Sequence, residues 1–187
     1  MPTTMLEREI KLQFGSTDEA REAVLATGAT PLFGRRLQED VLLDNDDEDF
    51  RRKRCVLRVR MENGKGRLTY KGPAQPSALH VREELETVIG DGEMLLRVFR
   101  ELGMHVWFRY EKYREEFSHE DVIVAIDETP VGVFVEIEGS EQGIADMTAA
   151  LGRTSADYIR DSYRALFLHY RERHGLNGSD MVFDASA

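Results

Sequence analysis

The chain has 187 residues, of which 32% are charged, and a formal net charge of −10 at pH 7. This length suits a single domain with a sizeable core, and the negative charge argues against nonspecific binding to nucleic acid or to a membrane surface. The single cysteine, Cys55, excludes an internal disulfide, and no apolar run is long enough to cross a membrane, so we expect a cytoplasmic protein.

The first half of the chain consists mainly of strand patterns. Residues 6–14 alternate charged and apolar side chains, and a helix is predicted over residues 18–27 because Ser16 and Glu19 have capping-box spacing. An extended stretch follows over residues 32–43. Three further strands are predicted over residues 54–62, 67–71 and 80–88. Asn63-Gly64 joins the first two of these, since this pair accepts the positive φ values of a tight hairpin turn.

The second half adds three strands and three helices. Asp91 caps a predicted helix that ends at Leu102-Gly103, and strands follow over residues 105–117, 122–127 and 131–138. Helices are predicted over residues 141–151 and 157–174. We therefore predict one domain over residues 1–174 and a loose tail over residues 175–187. Antiparallel strands with short links and intervening helices indicate an α+β fold with a large curled or closed sheet.

An acidic run between the second and third strands superficially suggests calcium. It reads Asp44-Asn45-Asp46-Asp47-Glu48-Asp49. An EF-hand loop has glycine at its sixth position and glutamate at its twelfth, where this chain has Asp49 and Cys55. The run is therefore interpreted as a solvated connection between strands.

Nearly every predicted strand has one charged and one apolar face. An ordinary barrel would bury the apolar faces, whereas an inverted one would pack them outward under helices and line an internal channel with the charges. The helices favour inversion because they offer apolar cover: Val24, Leu95, Leu96, Val98, Phe99, Leu166 and Phe167. The channel would then hold seven acids and seven bases: Glu7, Glu9, Glu84, Glu86, Asp127, Glu136 and Glu138, with Lys11, Arg58, Arg60, Lys71, Arg82, Lys112 and Arg114.

Burying so many charges costs several kcal/mol per ion unless each finds a partner, so the pattern indicates a ligand rather than a device for stability. Paired carboxylates can share hard divalent cations such as Mg²⁺ or Mn²⁺. Arginine and lysine clusters suit a polyanion with phosphate geometry. Together the two sets predict a channel for a complex of metal with polyphosphate.

The ordered motifs resemble the CYTH, or triphosphate tunnel metalloenzyme, superfamily over about residues 6–167. They are Glu7-x-Glu9-x-Lys11, Leu57-Arg58-Val59-Arg60, Leu68-Thr69-Tyr70-Lys71-Gly72, Arg82-x-Glu84-x-Glu86, Lys112-x-Arg114, Asp127, Glu136-x-Glu138-Gly139 and Ser162-Tyr163-Arg164. The resemblance implies a closed eight-stranded antiparallel tunnel that binds a small-molecule triphosphate with Mg²⁺ or Mn²⁺. The protein is expected to be a monomer or a homodimer.

Roles follow from the same resemblance. The metal side is implied to be Glu7, Glu9, Asp127, Glu136 and Glu138. The triphosphate side is implied to be Lys11, Arg58, Arg60, Lys71, Arg82, Lys112 and Arg114. Lys11 is also assigned to catalysis, together with Glu84 and Glu86, which are candidates for orienting water or holding a second metal ion.

Three functions stay open at this point. Hydrolysis of a triphosphate is favoured over cyclisation of ATP by a class IV adenylyl cyclase, and a non-catalytic polyphosphate-binding module is a third possibility. Relatives often carry tyrosine where this chain has Leu42, which weakens the cyclase interpretation. The metal ligands count against a pure binder, which needs the bases more than paired carboxylates.

The remaining chemistry-bearing residues are interpreted as structural. The five histidines lack the mutual spacing of a metal site; they are His80, His105, His119, His169 and His174. Cys55 is expected to be a buried, inert thiol, and Trp107, Phe108 and Tyr110 are expected to pack under a helix.

Overall fold

The structure, a computed structural model, describes residues 6–184. Its strands are β1 (Leu6–Phe14), β2 (Thr30–Asn45), β3 (Val56–Glu62), β4 (Lys65–Lys71), β5 (His80–Ile89), β6 (Met104–His119), β7 (Val122–Thr129) and β8 (Gly132–Gly139). Its helices are α1 (Thr17–Ala26), α2 (Asp49–Arg52), α3 (Gly92–Glu101), α4 (Glu141–Ala150) and α5 (Tyr163–His174), with a 3₁₀ turn at Ser155–Asp157. In this part of the chain no helix has both the length and the apolar character needed to cross a bilayer.

The eight strands close into an antiparallel barrel in the order β1-β5-β4-β3-β2-β6-β7-β8. Closure is achieved by β1, which pairs with β5 along one edge and with β8 along the other. Glu9 lies opposite Glu138 in that second pairing, and Lys11 lies opposite Glu136. The predicted α+β class and closed eight-stranded barrel are confirmed, and closure leaves no free edge along most of the sheet.

The barrel is inverted, as the alternation predicts. The largest apolar cluster lies outside the barrel wall, where residues such as Leu12 and Ile137 pack against Val24 of α1 and Ile144 of α4. A second outer cluster packs α3 over β2, β3 and β4. Because the odd and even positions of a strand face opposite sides, this outer packing turns the charged positions inward.

The C-terminal helix differs from the prediction in both extent and position. It begins at Tyr163, since residues 158–162 run in extended form between the 3₁₀ turn and the N-cap Ser162. It also fills one end of the barrel, where Phe167 lies 6.0 Å from the ring of Phe108 on the inner face of β6. Its apolar residues were expected to cover the outside, but Phe167 and Leu166 instead pack with the inward rings of β6.

The acidic run is not a solvated connection throughout. Asp44 is fully buried and accepts hydrogen bonds from the backbone N–H groups of Asn45, Phe50 and Arg51 and from Nε of Arg51. These bonds satisfy N–H groups at the start of α2, which is the usual task of a carboxylate at a helix N-terminus. The run therefore begins a short helix, and sequence composition does not distinguish this carboxylate from its exposed neighbours.

The segment after Gly175 also differs from the loose tail that the sequence predicts. Met181 is fully buried; its N–H donates to the carbonyl of Arg109, and its carbonyl accepts from the N–H of Glu111. The edge of β6 is free there because β7 pairs with it only from Tyr113 onward. The segment as far as Asp184 thus adds a bridge to an otherwise unpaired part of the sheet.

Candidate active site in the tunnel

The barrel encloses a cavity of about 620 Å³ whose wall is formed by side chains from all eight strands and from the start of α5. Every charged residue that the sequence places in the channel lines this cavity, with the exception of Asp127. A volume of this size is typical of small-molecule sites. The predicted charged interior is therefore present, and its charged side chains differ in the partners that they contact.

A buried aspartate holds the two arginines of β3. Asp40 is 1% exposed, and its two oxygens accept hydrogen bonds of 2.9 and 3.0 Å from Nε and Nη2 of Arg60. Nε of Arg58 lies 3.4 Å from the same carboxylate. Burial opposes ionisation, but Arg60 and Arg58 hold the pKa of Asp40 below its usual range. Asp40 thus fixes both guanidinium groups at the cavity wall.

Asp127 holds two cationic side chains of β6, and it lies behind the cavity wall. It is fully buried and accepts hydrogen bonds of 2.6 Å from Lys112, from Arg114 and from the hydroxyl of Tyr163. Burial and the neighbouring Arg114 lower the pKa of Lys112 to about 8. With its oxygens occupied by these donors, Asp127 is arranged as an anchor for cations, and its implied role as a metal ligand stays a prediction.

Tyr163 closes this part of the tunnel. The ammonium groups of Lys11 and Lys112 lie 4.6 and 4.9 Å from the centroid of its ring, within the range of cation–π attraction. Glu136 accepts from Lys11 at 3.1 Å and also contacts Lys112 and Arg114. Despite burial, Lys112, then Lys11 and Arg114, hold the pKa of Glu136 well below its usual range. The α5 end of the tunnel is therefore rich in paired charge.

The carboxylates of β1 and β8 near Glu9 are less well paired. Glu138 has no cation within ion-pair distance among the described residues, and partial desolvation and the Glu9 carboxylate raise its pKa to about 7. Burial, and then Glu9, also raise the pKa of Glu7, although Lys71 donates to both of its oxygens at 2.6 and 2.8 Å. Glu9 itself stays ionised. Although burial and Glu136 oppose it, the His80 hydrogen bond and two lysines lower its pKa to about 2.

The three residues assigned to catalysis lie on different parts of the wall. Lys11 is paired with Glu136, and Glu84 lies 3.0 Å from Lys71. Glu86 is held by Arg67 at 2.5 Å and by the hydroxyl of Thr69 at 3.1 Å. The structure brings Glu84 into the neighbourhood of Glu7, and it leaves Glu86 in a separate pair with Arg67.

The donor set fits a hard divalent cation in its chemistry. Glu7, Glu9 and Glu138 are oxygen donors, and Glu9 raises the pKa of both of the others, so a positive charge among them is electrostatically favoured. Within residues 6–184, no three His, Cys, Asp or Glu side chains form a ready metal cage. Magnesium is commonly held by one or two carboxylates together with substrate phosphates and water, which this arrangement allows.

The cationic residues fit a phosphate anion. Nε of Arg58 and Nε of Arg82 are buried and have no hydrogen-bond partner anywhere in residues 6–184, although both residues line the cavity. A buried charged donor without a partner costs free energy, which an anionic oxygen in the cavity would recover. Arg60 uses two of its five N–H groups on Asp40, so it retains donors for a ligand.

Sequence reasoning missed several tunnel residues. Arg67, His80, Tyr110, Glu116 and Tyr163 also line the cavity, and Asp40 lies directly behind it. Asp40 could have been found by extending the alternation rule to β2, where Gln38, Asp40 and Leu42 share one face. Leu42 itself lies opposite Phe108 of β6, which places a ring beside the position where relatives often carry tyrosine.

An antiparallel barrel that directs its apolar faces outward and surrounds a cavity with arginine, lysine and glutamate is a tunnel fold with a charged interior. The chain belongs to the CYTH domain family, whose profile matches residues 5–163. This finding confirms the family resemblance of the sequence motifs.

Individual relatives agree with this assignment. A protein of Methanocaldococcus jannaschii, named as a candidate adenylate cyclase, is 31% identical over 173 residues, which cover 87% of this chain and 98% of the relative. A solved structure from Vibrio parahaemolyticus, also named as a candidate adenylate cyclase, shares the fold with a TM-score of 0.77 at 17% identity, covering 89% and 99% of the two chains.

A further solved structure comes from Hippeastrum. It has a TM-score of 0.67 at 21% identity, with 92% of this chain and 97% of the other covered. It is described as a candidate adenylyl cyclase with a dominant triphosphatase activity. At this identity the likeness establishes the shared fold.

Proposed function

We propose that the protein is a divalent-metal-dependent hydrolase of small triphosphate-containing molecules. The observation that carries the proposal is the pair of guanidinium groups, Arg58 and Arg82, which line the charged cavity and whose buried Nε atoms have no hydrogen-bond partner in the described chain. A triphosphate supplies several anionic oxygens along one chain, and this suits cations that approach from different strands.

The basic residues would bind and orient the substrate. Arg58 and Arg82 contribute unpartnered donors, and Asp40 and Asp127 keep Arg60, Lys112 and Arg114 in place. Lys11 and Lys71 complete the set as point charges. Fixed cations also stabilise charge that develops on phosphate oxygens in the transition state, so orientation and charge stabilisation account for most of the catalysis.

The acidic residues would hold the metal ion and the water. Glu9, Glu138 and Glu7 are the proposed metal ligands, with Glu136 and Asp127 as the further members implied by position. When bound, a divalent ion supplies Lewis-acid stabilisation of the phosphate. Lys71, a hydrogen bond with Glu7 and Arg58 lower the pKa of Glu84 against the effect of burial. Because Glu86 is held by Arg67 and Thr69, whereas Glu84 lies beside the proposed metal ligand Glu7, Glu84 is the better placed of the two β5 glutamates to orient a water molecule.

Cyclisation of ATP is the second candidate. It is supported by the name of the Methanocaldococcus jannaschii relative, which matches over nearly its whole length. The hydrolytic proposal is supported by the Hippeastrum protein and its described triphosphatase activity. Leu42 argues less strongly against cyclisation than the sequence suggests, because Phe108 and Tyr110 place rings at the same part of the wall.

Phosphorus NMR on the full chain tests these proposals. Tripolyphosphate and, separately, ATP are supplied with Mg²⁺ or Mn²⁺, with a metal-free sample as the control. Release of orthophosphate only in the presence of metal supports the hydrolase, whereas cyclic AMP with pyrophosphate from ATP assigns the cyclase. No turnover of either substrate, with tripolyphosphate binding still measured by calorimetry, contradicts both enzymes and assigns a binding module.

A further inference from the structure

Of the five histidines, His80 is the one that lines the tunnel cavity, and it contacts both an acidic and a basic side chain. It occupies the first position of β5, directly opposite Glu9 of β1, and its side chain is 22% exposed. The sequence provides no metal-ligand spacing for it, and the proposed function assigns it no role. Its two neighbours, however, belong to opposite halves of the proposed site.

One neighbour is a carboxylate. Nδ1 of His80 lies 3.2 Å from Oε1 of Glu9. An ionised carboxylate only accepts hydrogen bonds, so Nδ1 must carry the proton and act as the donor. Among the influences on Glu9, this bond is the first of those that lower its pKa. His80 therefore helps to fix the orientation of an ionised glutamate that is a proposed metal ligand.

The other neighbour is a guanidinium. Nη2 of Arg82 lies 3.2 Å from Nδ1 and 3.3 Å from Nε2 of His80, so the guanidinium rests against the imidazole ring. The nearest carboxylate to Arg82 is that of Glu7, with Nε and Oε2 3.7 Å apart, too far for a hydrogen bond. The Arg82 side chain is 12% exposed, and its Nε has no partner in the described chain.

The imidazole thus contacts both a carboxylate and a guanidinium, which carry opposite charges and stand on neighbouring strands. We propose that His80 is a positioning residue that orients Glu9 and keeps Arg82 from forming an ion pair with it, so that Glu9 remains free for metal and Arg82 for phosphate. The inference rests on the proposed function, because it gives both groups a ligand. Arg82 has only the 3.7 Å contact with Glu7, and Glu9 has no lysine or arginine within ion-pair distance in the described chain, so each gains a closer partner from a ligand that enters the tunnel.

The test measures binding rather than turnover. Calorimetry with MnCl₂, and separately with tripolyphosphate in metal-free buffer, compares the wild-type chain with His80→Ala and His80→Asn. We expect His80→Ala to weaken Mn²⁺ binding by about tenfold, as the loss of a partner to a metal ligand commonly does, and to weaken tripolyphosphate binding as Arg82 turns to Glu9. His80→Asn restores an N–H donor toward Glu9 and is expected to recover most of the Mn²⁺ affinity.

A double variant distinguishes positioning from simple loss of structure. In His80→Ala combined with Arg82→Gln, no guanidinium can pair with Glu9, so Mn²⁺ binding is expected to be tighter than in His80→Ala alone. His105→Ala is the matched control, because His105 lies outside the cavity lining and its side chain is 43% exposed. Circular dichroism melting confirms that each variant is folded.

The outcomes separate the two proposals. Wild-type chain that binds neither Mn²⁺ nor tripolyphosphate contradicts the proposed function, and with it the ligands on which the role of His80 depends. Normal wild-type binding with unchanged affinities in His80→Ala overturns the role of His80 alone. It is also overturned if His80→Asn loses as much Mn²⁺ affinity as His80→Ala, or if Arg82→Gln brings no recovery.

Discussion

Carboxylates in the same barrel differ strongly in burial and in the number of cations that they contact. The aspartates Asp40 and Asp127 are 1% and 0% exposed, and arginine or lysine side chains occupy their oxygens. Glu138 is on β8 and lines the same cavity. It has no cation within ion-pair distance in the described chain, and its pKa is raised to about 7. Asp40 and Asp127 thus have their partners already, whereas Glu138 lacks one.

This difference distinguishes carboxylates that hold the cavity wall in place from carboxylates that are available to bind a ligand. Aspartate is short, so a carboxylate close to the backbone can anchor the longer arginine and lysine side chains that reach into the cavity. Glutamate is longer and brings its own carboxylate to the cavity surface. A carboxylate that is fully paired has little left to offer a ligand, whereas one with a raised pKa gains most from an added cation.

The largest effect is expected from Asp40→Ala. Arg60 has no other carboxylate within ion-pair distance among residues 6–184, and Arg58 retains carboxylate contacts only at 3.9 and 4.0 Å, with Glu86 and Glu84. Removing one partner of a buried ion pair costs about 3–5 kcal/mol. Urea denaturation should show a loss of this size, and a smaller one for Asp127→Ala, because Glu136 still contacts Lys112 and Arg114.

Glu138→Gln is the contrasting variant for the same measurement. Its free energy of unfolding at neutral pH is expected to equal or exceed the wild-type value, because the substitution removes no ion pair and removes a carboxylate whose ionisation is opposed by burial and by Glu9. If it destabilises the chain as much as Asp40→Ala, the distinction between anchoring and ligand-binding carboxylates is wrong.

Metal binding should show the opposite ranking. Glu9→Gln removes a charge from the proposed metal ligands and is expected to weaken Mn²⁺ binding at least about tenfold, since even the partners of a metal ligand commonly contribute that much. Isothermal titration calorimetry provides the affinity. Glu115→Gln is a suitable control, because Glu115 forms a surface pair with Arg21 at 3.2 Å outside the cavity lining. Unchanged Mn²⁺ affinity in Glu9→Gln would remove that residue from the metal site.

A smaller effect is expected from single cationic residues. Arg58→Ala or Lys71→Ala removes charge-assisted hydrogen bonds to phosphate and should weaken tripolyphosphate binding by at least ~1 kcal/mol. Several other cations remain in the wall, so the loss should be partial. Arg35→Ala, which breaks an exposed pair with Glu128, serves as the control. Equal affinity in both variants and the control would place Arg58 and Lys71 outside the binding site.

The mildest test changes only the pH. Because the pKa of Glu138 is raised to about 7, this carboxyl is protonated below that pH, and a cation must displace the proton to bind. Mn²⁺ affinity should therefore increase as the pH rises through 7. The increase should be shallower in Glu138→Gln, although Glu7, whose pKa is also raised, preserves part of it. An identical pH profile in the variant would contradict a role for Glu138.

Local patterns were sufficient to predict the barrel and most of its lining. Strict alternation on β1, β3 and β8 identified the inward charges, and Asn63-Gly64 identified the hairpin, where both residues adopt positive φ. What alternation cannot show is which inward charges pair with one another. The anchors Asp40 and Asp127, the contact of His80 with Glu9 and the docking of Met181 all join residues that are distant in sequence.

The pairing of β1 with β8 also determines when the protein can acquire its shape during synthesis. β1, the first strand of the barrel in chain order, can pair with β8 only after Gly132–Gly139 has left the ribosome. The register of that pairing joins Glu9 to Glu138 and Phe14 to Val133. Contacts between such distant segments form slowly, and unfinished sheets expose unpaired edges in the meantime. A nascent chain that stalls before β8 would present the apolar outer face of β1 beside an open edge. The chain is therefore most exposed to aggregation while β8 is missing, and pairing of the last strand covers that edge.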